Sequence, residues 1–176
     1  MHNKNDDKNT IGTERLILRP ICLTDFEALC TLDGDPNVRR YFPEGVLNSV
    51  EVQKDLDSSL KAWNTDGFGL FAAINKQSAQ LIGRCGFAKL NSGEVEFGYL
   101  FLPSYWGKGY ATEAAQALLV WAAQHIPVDH IIGFAPTHHI ASLRVLEKCG
   151  MKFFRMENYR NIECAFYKFD LNKSIK

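Results

Sequence analysis

No run of apolar residues in the sequence approaches the ~20 that a membrane-spanning helix needs, so we expect no membrane partner. Charge of neither sign dominates, because 20 Lys and Arg balance 20 Asp and Glu, and no basic block exceeds the Arg39–Arg40 pair. With this balance of charges we expect no basic surface patch of the kind that binds nucleic acid. The five cysteines lack C-x-x-C spacing, and His138 and His139 have no further ligand at zinc spacing. We therefore expect no metal and reduced thiols in a cytoplasmic protein.

The composition that is present is that of an ordinary globular protein. Hydrophobic residues make up 46% and charged residues 23% of the 176-residue chain, which suits one domain with a single core. The first residues, MHNKNDDKNTIG, are polar and lack the apolar segment of a signal peptide. We expect a flexible tail at residues 1–12 and one domain at residues 13–176.

The most informative stretch is EVEFGYLFLPSYWGKGYATEAAQA, residues 94–117. Aromatic and branched residues at 95–102 predict a buried strand, and alanines and leucines at helical spacing predict a helix over 111–125. The loop between them carries Gly107 and Gly109, which permit backbone conformations that aim successive N–H groups into one concavity at the positive end of the helix. A loop of this kind binds phosphate groups.

Strands and helices alternate around this stretch. The predicted elements are a strand at 16–19, a helix at 24–32, a helix carrying Val52, Leu56, Leu60 and Trp63 on one face, a hairpin at 68–75 and 81–89, the strand 94–102, the helix 111–125, a strand at 130–135, a helix at 140–149 and a closing hairpin at 151–159 and 162–171. Because the strand 130–135 follows a strand-loop-helix unit, it should lie parallel to the strand 94–102. The segment 33–47, with its glycines and prolines, should be irregular.

The glycine loop fits neither the P-loop nor the dinucleotide fingerprint. It resembles the pyrophosphate loop [QR]-x-x-G-x-[GA] of the GNAT acyl-CoA N-acyltransferases, with Ser104 at the Gln/Arg position. The segment WGKGYATEA, residues 106–114, is similar to the corresponding segment of the Rim ribosomal-protein N-terminal acetyltransferases. A second segment, HHIASLRVLEKCGMKF at 138–153, resembles the family pattern N-x-x-S-x-x-V-L-E-K-x-G-F, with His139 at the Asn position.

The element order β-α-α-β-β-β-α-β-α-β-β is also that of the GNAT fold, an α/β (α+β) architecture in which two parallel central strands of a mixed sheet splay apart. The resemblance implies acetyl-CoA as co-substrate, its pantetheine arm hydrogen-bonded to the backbone of residues 100–102. The coenzyme-binding residues that it implies are Leu100, Phe101, Leu102, Trp106, Gly107, Lys108, Gly109, Tyr110, Ala111, Thr112, His139 and Ser142. It places the acceptor near Tyr41, Phe42 and Glu96.

Some of these residues have an equally good structural explanation. Trp106 and Tyr110 either touch the ligand or pack the loop, and Lys108 either approaches a phosphate or is a solvated charge. Four arginines border the acceptor site in the resemblance, and we expect solvated surface charges, with an acidic acceptor as the alternative. These are Arg39, Arg40, Arg155 and Arg160.

Acyl transfer from a thioester to an amine needs a neutral amine, a donor for the oxyanion and a hydrogen bond for the leaving thiolate. A thiol of pKa ~8.5 lies only ~1.5 units above pH 7, worth about 2 kcal/mol, so one hydroxyl suffices. Ser142 is the candidate, as in the Rim-type enzymes that the chain resembles, and local helix capping is its alternative. Glu96, two residues before Gly98, is the candidate base through water. For Glu96 and Glu94 the alternative is a solvated or ion-paired carboxylate.

The sequence thus predicts an enzyme that moves acetyl from acetyl-CoA directly to a primary amine. An N-terminal α-amine is roughly a tenth neutral at pH 7, so it suits a site with one carboxylate better than lysine does. A protein N-terminus is therefore the favoured acceptor, for a monomer or a homodimer. Two alternatives stay open, namely a small-molecule amine (amino acid, polyamine or antibiotic) and a non-catalytic acyl-CoA-binding module.

Overall fold

The computed structural model describes residues 9–173, and its elements follow the order expected from the sequence. The strands within these residues are β1 (Ile11–Gly12), β2 (Leu16–Pro20), β3 (Leu70–Asn75), β4 (Leu81–Lys89), β5 (Val95–Phe101), β6 (His130–Pro136), β7 (Lys152–Tyr159) and β8 (Ile162–Asp170). The α-helices are α1 (Phe26–Asp33), α2 (Pro36–Arg39), α3 (Ser49–Thr65), α4 (Tyr110–His125) and α5 (Ile140–Lys148). Each predicted boundary lies within two residues of the observed one.

Two segments differ from the expectation. Residues 1–8 of the predicted tail lie outside the described residues, but Ile11–Gly12 pairs antiparallel with β2 and so belongs to the folded domain. A two-residue strand has no periodicity that a sequence pattern can reveal. The segment 33–47 is not wholly irregular, because it contains α2. Asp35 caps that helix by accepting hydrogen bonds from the N–H groups of Asn37 and Val38.

All eight described strands join one sheet in the order β1-β2-β3-β4-β5-β6-β8-β7. Neighbouring strands are antiparallel except β5 and β6, which are parallel. A single registered pair, Glu96 opposite Ile132, joins β5 to β6 near the start of both strands. The two strands therefore part towards their carboxyl ends, which confirms the predicted splay.

The helices α4 and α5 pack against the strands on the two sides of the gap between β5 and β6. The buried face of α4 is made of small and aliphatic side chains, which let the helix lie close to β2, β4 and β5: Ala114, Ala115, Leu118, Leu119 and Ala122. The helix α5 packs against β6 and β8. Both helices start at the carboxyl ends of the strands that precede them, where open α/β sheets bind their ligands. Within residues 9–173, no helix combines the length and apolar character needed to cross a bilayer.

Candidate active site

A cleft of about 360 Å³ lies at the end of β5. Its walls come from β5, the glycine loop, the first turns of α4 and α5 and the segment 37–41. Ten of the twelve residues expected to bind the coenzyme line it, and only Leu102 and Lys108 do not. Of the expected acceptor residues Tyr41 lines it, whereas Phe42 and Glu96 lie outside. The volume is in the range of small-molecule sites.

The glycine loop has the conformation that its sequence requires. Gly107 and Gly109 take positive φ angles of 69° and 84°. A Cβ on Gly107 would meet nothing within 4 Å, so the backbone angle and not lack of space calls for glycine there. The first helical N–H with a partner inside α4 is that of Glu113, which donates to the Gly109 carbonyl at 3.0 Å. The N–H groups of the preceding turn are left for an anion at the positive end of the helix.

Arg15 holds this loop from outside the cleft. Its Nε lies 2.7 Å from Oε2 of Glu113 in the first turn of α4, and its guanidinium donates to the Lys108 carbonyl at 2.8 Å. The same guanidinium lies 4.2 Å from the ring centroid of Tyr110. The Tyr110 hydroxyl accepts from Nδ2 of Asn75 at 3.2 Å, so this tyrosine packs the loop as well as lining the cleft.

The other two ambiguous loop residues also make contacts inside the protein. Lys108 Nζ donates to the Ser104 carbonyl at 2.8 Å, so this side chain folds back along its own loop. The Trp106 indole N–H donates to the Phe101 carbonyl at 2.6 Å, and its ring lies beside the exposed Arg40, whose guanidinium is 5.5 Å from the ring centroid. Trp106 thus packs the end of β5 and lines the cleft.

The backbone at the end of β5 directs a donor into the gap between β5 and β6. Leu102 N–H donates to the Ile82 carbonyl, and Leu102 C=O accepts from Tyr105 N–H, each at 2.9 Å. Both backbone groups of Leu102 are thus already paired inside the protein, so within the expected segment 100–102 the bond to the pantetheine arm would come from another residue. Successive residues of a strand direct their N–H and C=O to opposite sides, so Phe101 N–H points into the gap.

Ser142 has a partner that the sequence analysis missed. Its Oγ lies 2.9 Å from the hydroxyl of Tyr99, across the space between the first turn of α5 and β5. Tyr99 lines the cleft, and burial raises its pKa to about 12, so the phenol keeps its proton at neutral pH. The alternation Phe97, Tyr99, Phe101 puts one hydroxyl on an otherwise apolar face. That pattern was the available signal.

Glu96 and Glu94 share a strand face but differ in environment. Glu94 pairs with Arg155 through two hydrogen bonds of 2.9 and 3.0 Å, and these bonds lower its pKa. Burial raises the pKa of Glu96 to about 7, against the opposing charge of Arg160. One Glu96 carboxylate oxygen lies 3.6 Å from where a Cβ on Gly98 would stand, so the carboxylate leans along β5 towards the cleft end of the strand.

The period of two along β5 separates the two candidate groups. Glu96 and Gly98 face one side of the sheet, and Tyr99 with its partner Ser142 lies on the other. A reacting carbonyl held in the gap beside Phe101 N–H would therefore have the carboxylate on one side and the hydroxyl on the other. That is the order of groups that acyl transfer to an amine requires.

His139 stands at the start of α5, where the family pattern has Asn. Its ring stacks on Tyr41 at a centroid distance of 3.6 Å and an interplanar angle of 15°. Burial, together with the nearby charge of Arg40, lowers its pKa to about 4, so the ring is neutral at pH 7. A neutral imidazole offers one donor and one acceptor, as a side-chain amide offers both kinds of group. Histidine in place of asparagine at position 139 therefore still provides a hydrogen-bond donor and an acceptor at this cleft position.

A buried ion cluster holds the segment 33–47. The Asp33 carboxylate accepts from Arg84 at 3.0 and 2.8 Å and from Arg39 at 3.4 Å, and Arg39 Nε donates to the Gly45 carbonyl at 2.9 Å. Arg39 is only 6% exposed, so the expectation of a solvated surface charge is wrong for it. The cluster was not predictable because Asp33 and Arg84 are 51 residues apart.

The remaining arginines are engaged at the surface. Arg160, in the β7–β8 turn, forms an ion pair with Glu44, which joins the segment 33–47 to the closing hairpin. Arg155 pairs with Glu94, as described above. Arg40 is exposed, and its guanidinium lies 4.6 Å from the ring centroid of Tyr41 at the cleft wall.

Other chemistries find little support in the part of the chain that the structure describes. Its His, Cys, Asp and Glu side chains form no group of three or more that could hold a metal ion. The five cysteines are free. Burial raises the pKa of Cys85 and of Cys149 to about 12, so these thiols stay protonated in the core and are poor nucleophiles.

The splayed parallel strand pair and the glycine loop at the start of α4 are the features of an acyl-coenzyme A N-acyltransferase fold. A protein-family profile described as acetyltransferase (GNAT) domain matches residues 15–152. The chain belongs to the GNAT acetyltransferase family and is an N-acetyltransferase. Members of this family use acetyl-CoA, and relatives named as N-acetyltransferases support an enzyme rather than a non-catalytic acyl-CoA-binding module.

The relatives agree with this assignment. The chain is 34% identical over 143 residues to the uncharacterised N-acetyltransferase YnaD of Bacillus subtilis (strain 168), covering 81% of this chain and 82% of YnaD. A crystal structure of a GNAT-family acetyltransferase from Bacillus anthracis has a TM-score of 0.79 at 28% identity, over 93% of this chain and 99% of that one. RimL, a ribosomal L7/L12 α-N-protein acetyltransferase solved with coenzyme A, shares the fold with a TM-score of 0.78 at 16% identity, over 92% and 97%.

Proposed function

We propose that the protein transfers acetyl from acetyl-CoA directly to the α-amine of a protein N-terminus, as Rim-type enzymes do. The observation that carries the proposal is the placement of Glu96 and Ser142 on opposite faces of β5, with Phe101 N–H directed into the gap beside them. We assign these three groups the roles of base, thiolate donor and oxyanion donor.

The cleft supports acetyl-CoA as the donor. The free N–H groups at the start of α4 suit the diphosphate, and the gap between β5 and β6 admits the pantetheine arm beside Phe101 N–H. His139 and Arg40 supply polar groups at the cleft wall. In this arrangement the thioester lies at the end of β5, between the side chains of Glu96 and Ser142.

The pKa values of the two kinds of amine favour an α-amine as the acceptor. Moving a proton from an α-ammonium of pKa ~8 to a carboxylate of pKa about 7 is uphill by ~1 unit, or about 1.4 kcal/mol. For a lysine of pKa ~10.4 the same transfer is uphill by ~3.4 units, or about 4.6 kcal/mol. Glu96 does not line the cleft, so the proton passes through water.

Once the amine is neutral, its lone pair attacks the thioester carbonyl and a tetrahedral oxyanion forms. Phe101 N–H donates to that oxygen. When the C–S bond breaks, its electron pair stays on sulfur, and the Ser142 O–H donates a hydrogen bond to the thiolate. The attacking nitrogen loses its second proton through water to the departing sulfur, which leaves as the thiol, and Glu96 returns the first proton to solvent.

A small-molecule amine is the second candidate acceptor. The Glu44–Arg160 ion pair favours it, because this contact joins the segment 33–47 to the β7–β8 turn on the acceptor face and narrows the approach. A free small amine needs less room to enter there than an N-terminus that is attached to a folded protein. The likeness to RimL, at 16% identity, concerns the fold and does not decide between them.

Thiol release from acetyl-CoA tests the proposal, with a panel of peptides with free N-termini, the same peptides N-blocked but carrying lysine, and small amines. We expect turnover on the free N-termini. Turnover on small amines alone would replace the acceptor class and keep the mechanism. Turnover on the blocked, lysine-containing peptides alone would contradict the argument from the pKa values of the amines.

A further inference from the structure

The hydrogen bond between Tyr99 and Ser142 joins the two elements that border the cleft. Tyr99 lies on β5, Ser142 lies in the first turn of α5, and the two oxygens are 2.9 Å apart. The Tyr99 hydroxyl also lies 3.5 Å from the Ser142 backbone carbonyl. The mechanism above uses Ser142 and assigns nothing to Tyr99.

We propose that Tyr99 is a positioning residue, which donates its hydroxyl hydrogen to Ser142 Oγ and thereby directs the Ser142 hydrogen into the cleft towards the leaving sulfur. This inference rests on the proposed function, because Ser142 acts there as the donor to the thiolate. Tyr99 transfers no proton in the reaction. It fixes the direction in which the serine O–H points.

The chemistry of the two hydroxyls sets the direction of the bond. A phenol is the stronger acid of the two and hence the better donor, and burial keeps it protonated, with a pKa of about 12. A serine hydroxyl has one hydrogen and can accept as well, and it rotates to suit its surroundings. Without a fixed partner, that hydrogen can turn back to the carbonyls of its own helix. With Oγ accepting from Tyr99, the hydrogen is left for the cleft.

The tyrosine is well suited to hold a fixed orientation. Its ring lies between Phe97 and Phe101, at centroid distances of 6.0 and 6.5 Å, and its backbone pairs opposite Cys85 of β4. A side chain on a paired strand with aromatic neighbours loses little further freedom when it makes a hydrogen bond. The geometry at Ser142 is therefore set before the substrate arrives, which is what an effective donor requires.

A merely structural role has to be separated from this one, because the bond also ties α5 to the sheet. Tyr167 provides the matched control. Its hydroxyl donates to Oε1 of Glu147 at 2.9 Å, so it too anchors α5, but it does not line the cleft. Tyr167→Phe removes one hydroxyl anchor of α5 away from the reacting groups.

The experiment compares the parent with Tyr99→Phe, Ser142→Ala, the double variant and Tyr167→Phe. Thiol release from acetyl-CoA is measured with the best amine of the panel and also without amine, where water is the acceptor. We expect Tyr99→Phe to lower kcat about three- to tenfold, as loss of one neutral hydrogen bond does. The KM for acetyl-CoA should stay within about twofold, and Tyr167→Phe should leave kcat unchanged. In the Ser142→Ala background, Tyr99→Phe should have no further effect.

Several results would overturn the inference. These are an unchanged kcat in Tyr99→Phe, a raised KM with unchanged kcat, an equal fall in Tyr167→Phe, or losses in the two single variants that multiply in the double. If the parent releases thiol with water as the acceptor but with none of the amines in the panel, only the proposed acceptor is overturned. The rates of thiol release to water can then still be compared among the variants. A parent without thiol release in either assay would overturn both.

Discussion

Arg15 and Glu113 are 98 residues apart in the chain, and their side chains meet at 2.7 Å behind the glycine loop. The Glu113 carboxylate also accepts from the Arg15 backbone N–H at 2.7 Å and from the Thr13 hydroxyl at 2.6 Å. The connection between β1 and β2 is thereby fixed to the first turn of α4. The conformation of the loop therefore depends on the amino-terminal part of the domain.

Arg15→Ala should weaken acetyl-CoA binding, because it removes the guanidinium bonds to Glu113 and to the Lys108 carbonyl that shape the loop. Hydrogen bonds to charged groups contribute about 1.5–3 kcal/mol, and partial exposure of Arg15 reduces that, so we expect the Kd to rise roughly fivefold. Calorimetric titration with acetyl-CoA measures it. The control is Arg19→Ala, which removes a comparable ion pair with Asp25 away from the cleft. Equal affinity loss in both variants would contradict a specific role of Arg15.

Gly107→Ala should strain the loop. With φ at 69°, an alanine there costs about 1–2 kcal/mol in backbone conformation, although a Cβ would find open space. We expect a lower melting temperature and weaker acetyl-CoA binding. Gly107→Asn should be the milder change, because Asn tolerates the left-handed region better. An alanine variant as stable as the parent and as tight in binding would show that this angle does not matter.

The rate should depend on pH through Glu96. Burial raises the pKa of Glu96 to about 7, and the base acts when ionised, so kcat/KM should rise with pH up to about 7 and then level off. Glu96→Gln should lower kcat and remove this inflection. Glu94→Gln is the control, since that carboxylate is ion-paired with Arg155. A profile with the same inflection in Glu96→Gln would exclude Glu96 as the base.

Ionisation of Glu96, which should raise the rate, should lower the stability of the folded protein. The pKa of Glu96 in the folded state lies above the ordinary glutamate value of 4.5, so the folded state binds the proton more tightly, and the contribution to stability falls as pH rises from about 4.5 through about 7. Glu96→Gln should therefore raise the melting temperature relative to the parent at pH 8 and give little gain at pH 4. A gain that is equal at both values would contradict burial of an ionisable group at this position.

Substitution of Asp33 in the ion cluster should strongly lower the stability of the folded protein. Asp33→Asn takes the counter-charge from Arg84 and leaves Arg39 with only Glu44, at 4.0 Å, and loss of one partner of a buried ion pair typically costs about 3–5 kcal/mol. We expect a large fall in melting temperature and a raised KM for the amine, because the segment 33–47 loses its anchor. Asp35→Asn should cost much less, because Asn still caps α2. Chemical denaturation of the two variants gives the comparison.

Local patterns in the sequence accounted for most of the fold. The periodicities of β5 and α4, the break between them and the glycine pair are all contained in residues 94–117, so the strand, the loop and the helix could be predicted together. The splay of β5 from β6 followed from the family resemblance. The short elements β1 and α2 were not predicted, because elements of two and four residues are determined by their pairing partners and caps rather than by a repeating sequence pattern.

The candidate site divides in the same way. Glu96, Ser142 and the glycines lie in recognisable segments, and the cleft brings most of the expected residues together. The partners that orient them were not predictable. Tyr99 bonds to Ser142 over a separation of 43 residues, and Asp33 to Arg84 over 51, and no pattern in a single sequence records such distant contacts.

The central claim is direct transfer of acetyl from acetyl-CoA to an N-terminal α-amine, and locating the acetyl group on a product tests it most directly. A peptide with both a free N-terminus and a lysine is incubated with the protein and acetyl-CoA, and tandem mass spectrometry of peptide and protein finds the modified nitrogen. We expect acetyl on the α-amine of the peptide and none on the protein. Acetyl on the lysine side chain alone, or on a cysteine of the protein during turnover, would contradict the account.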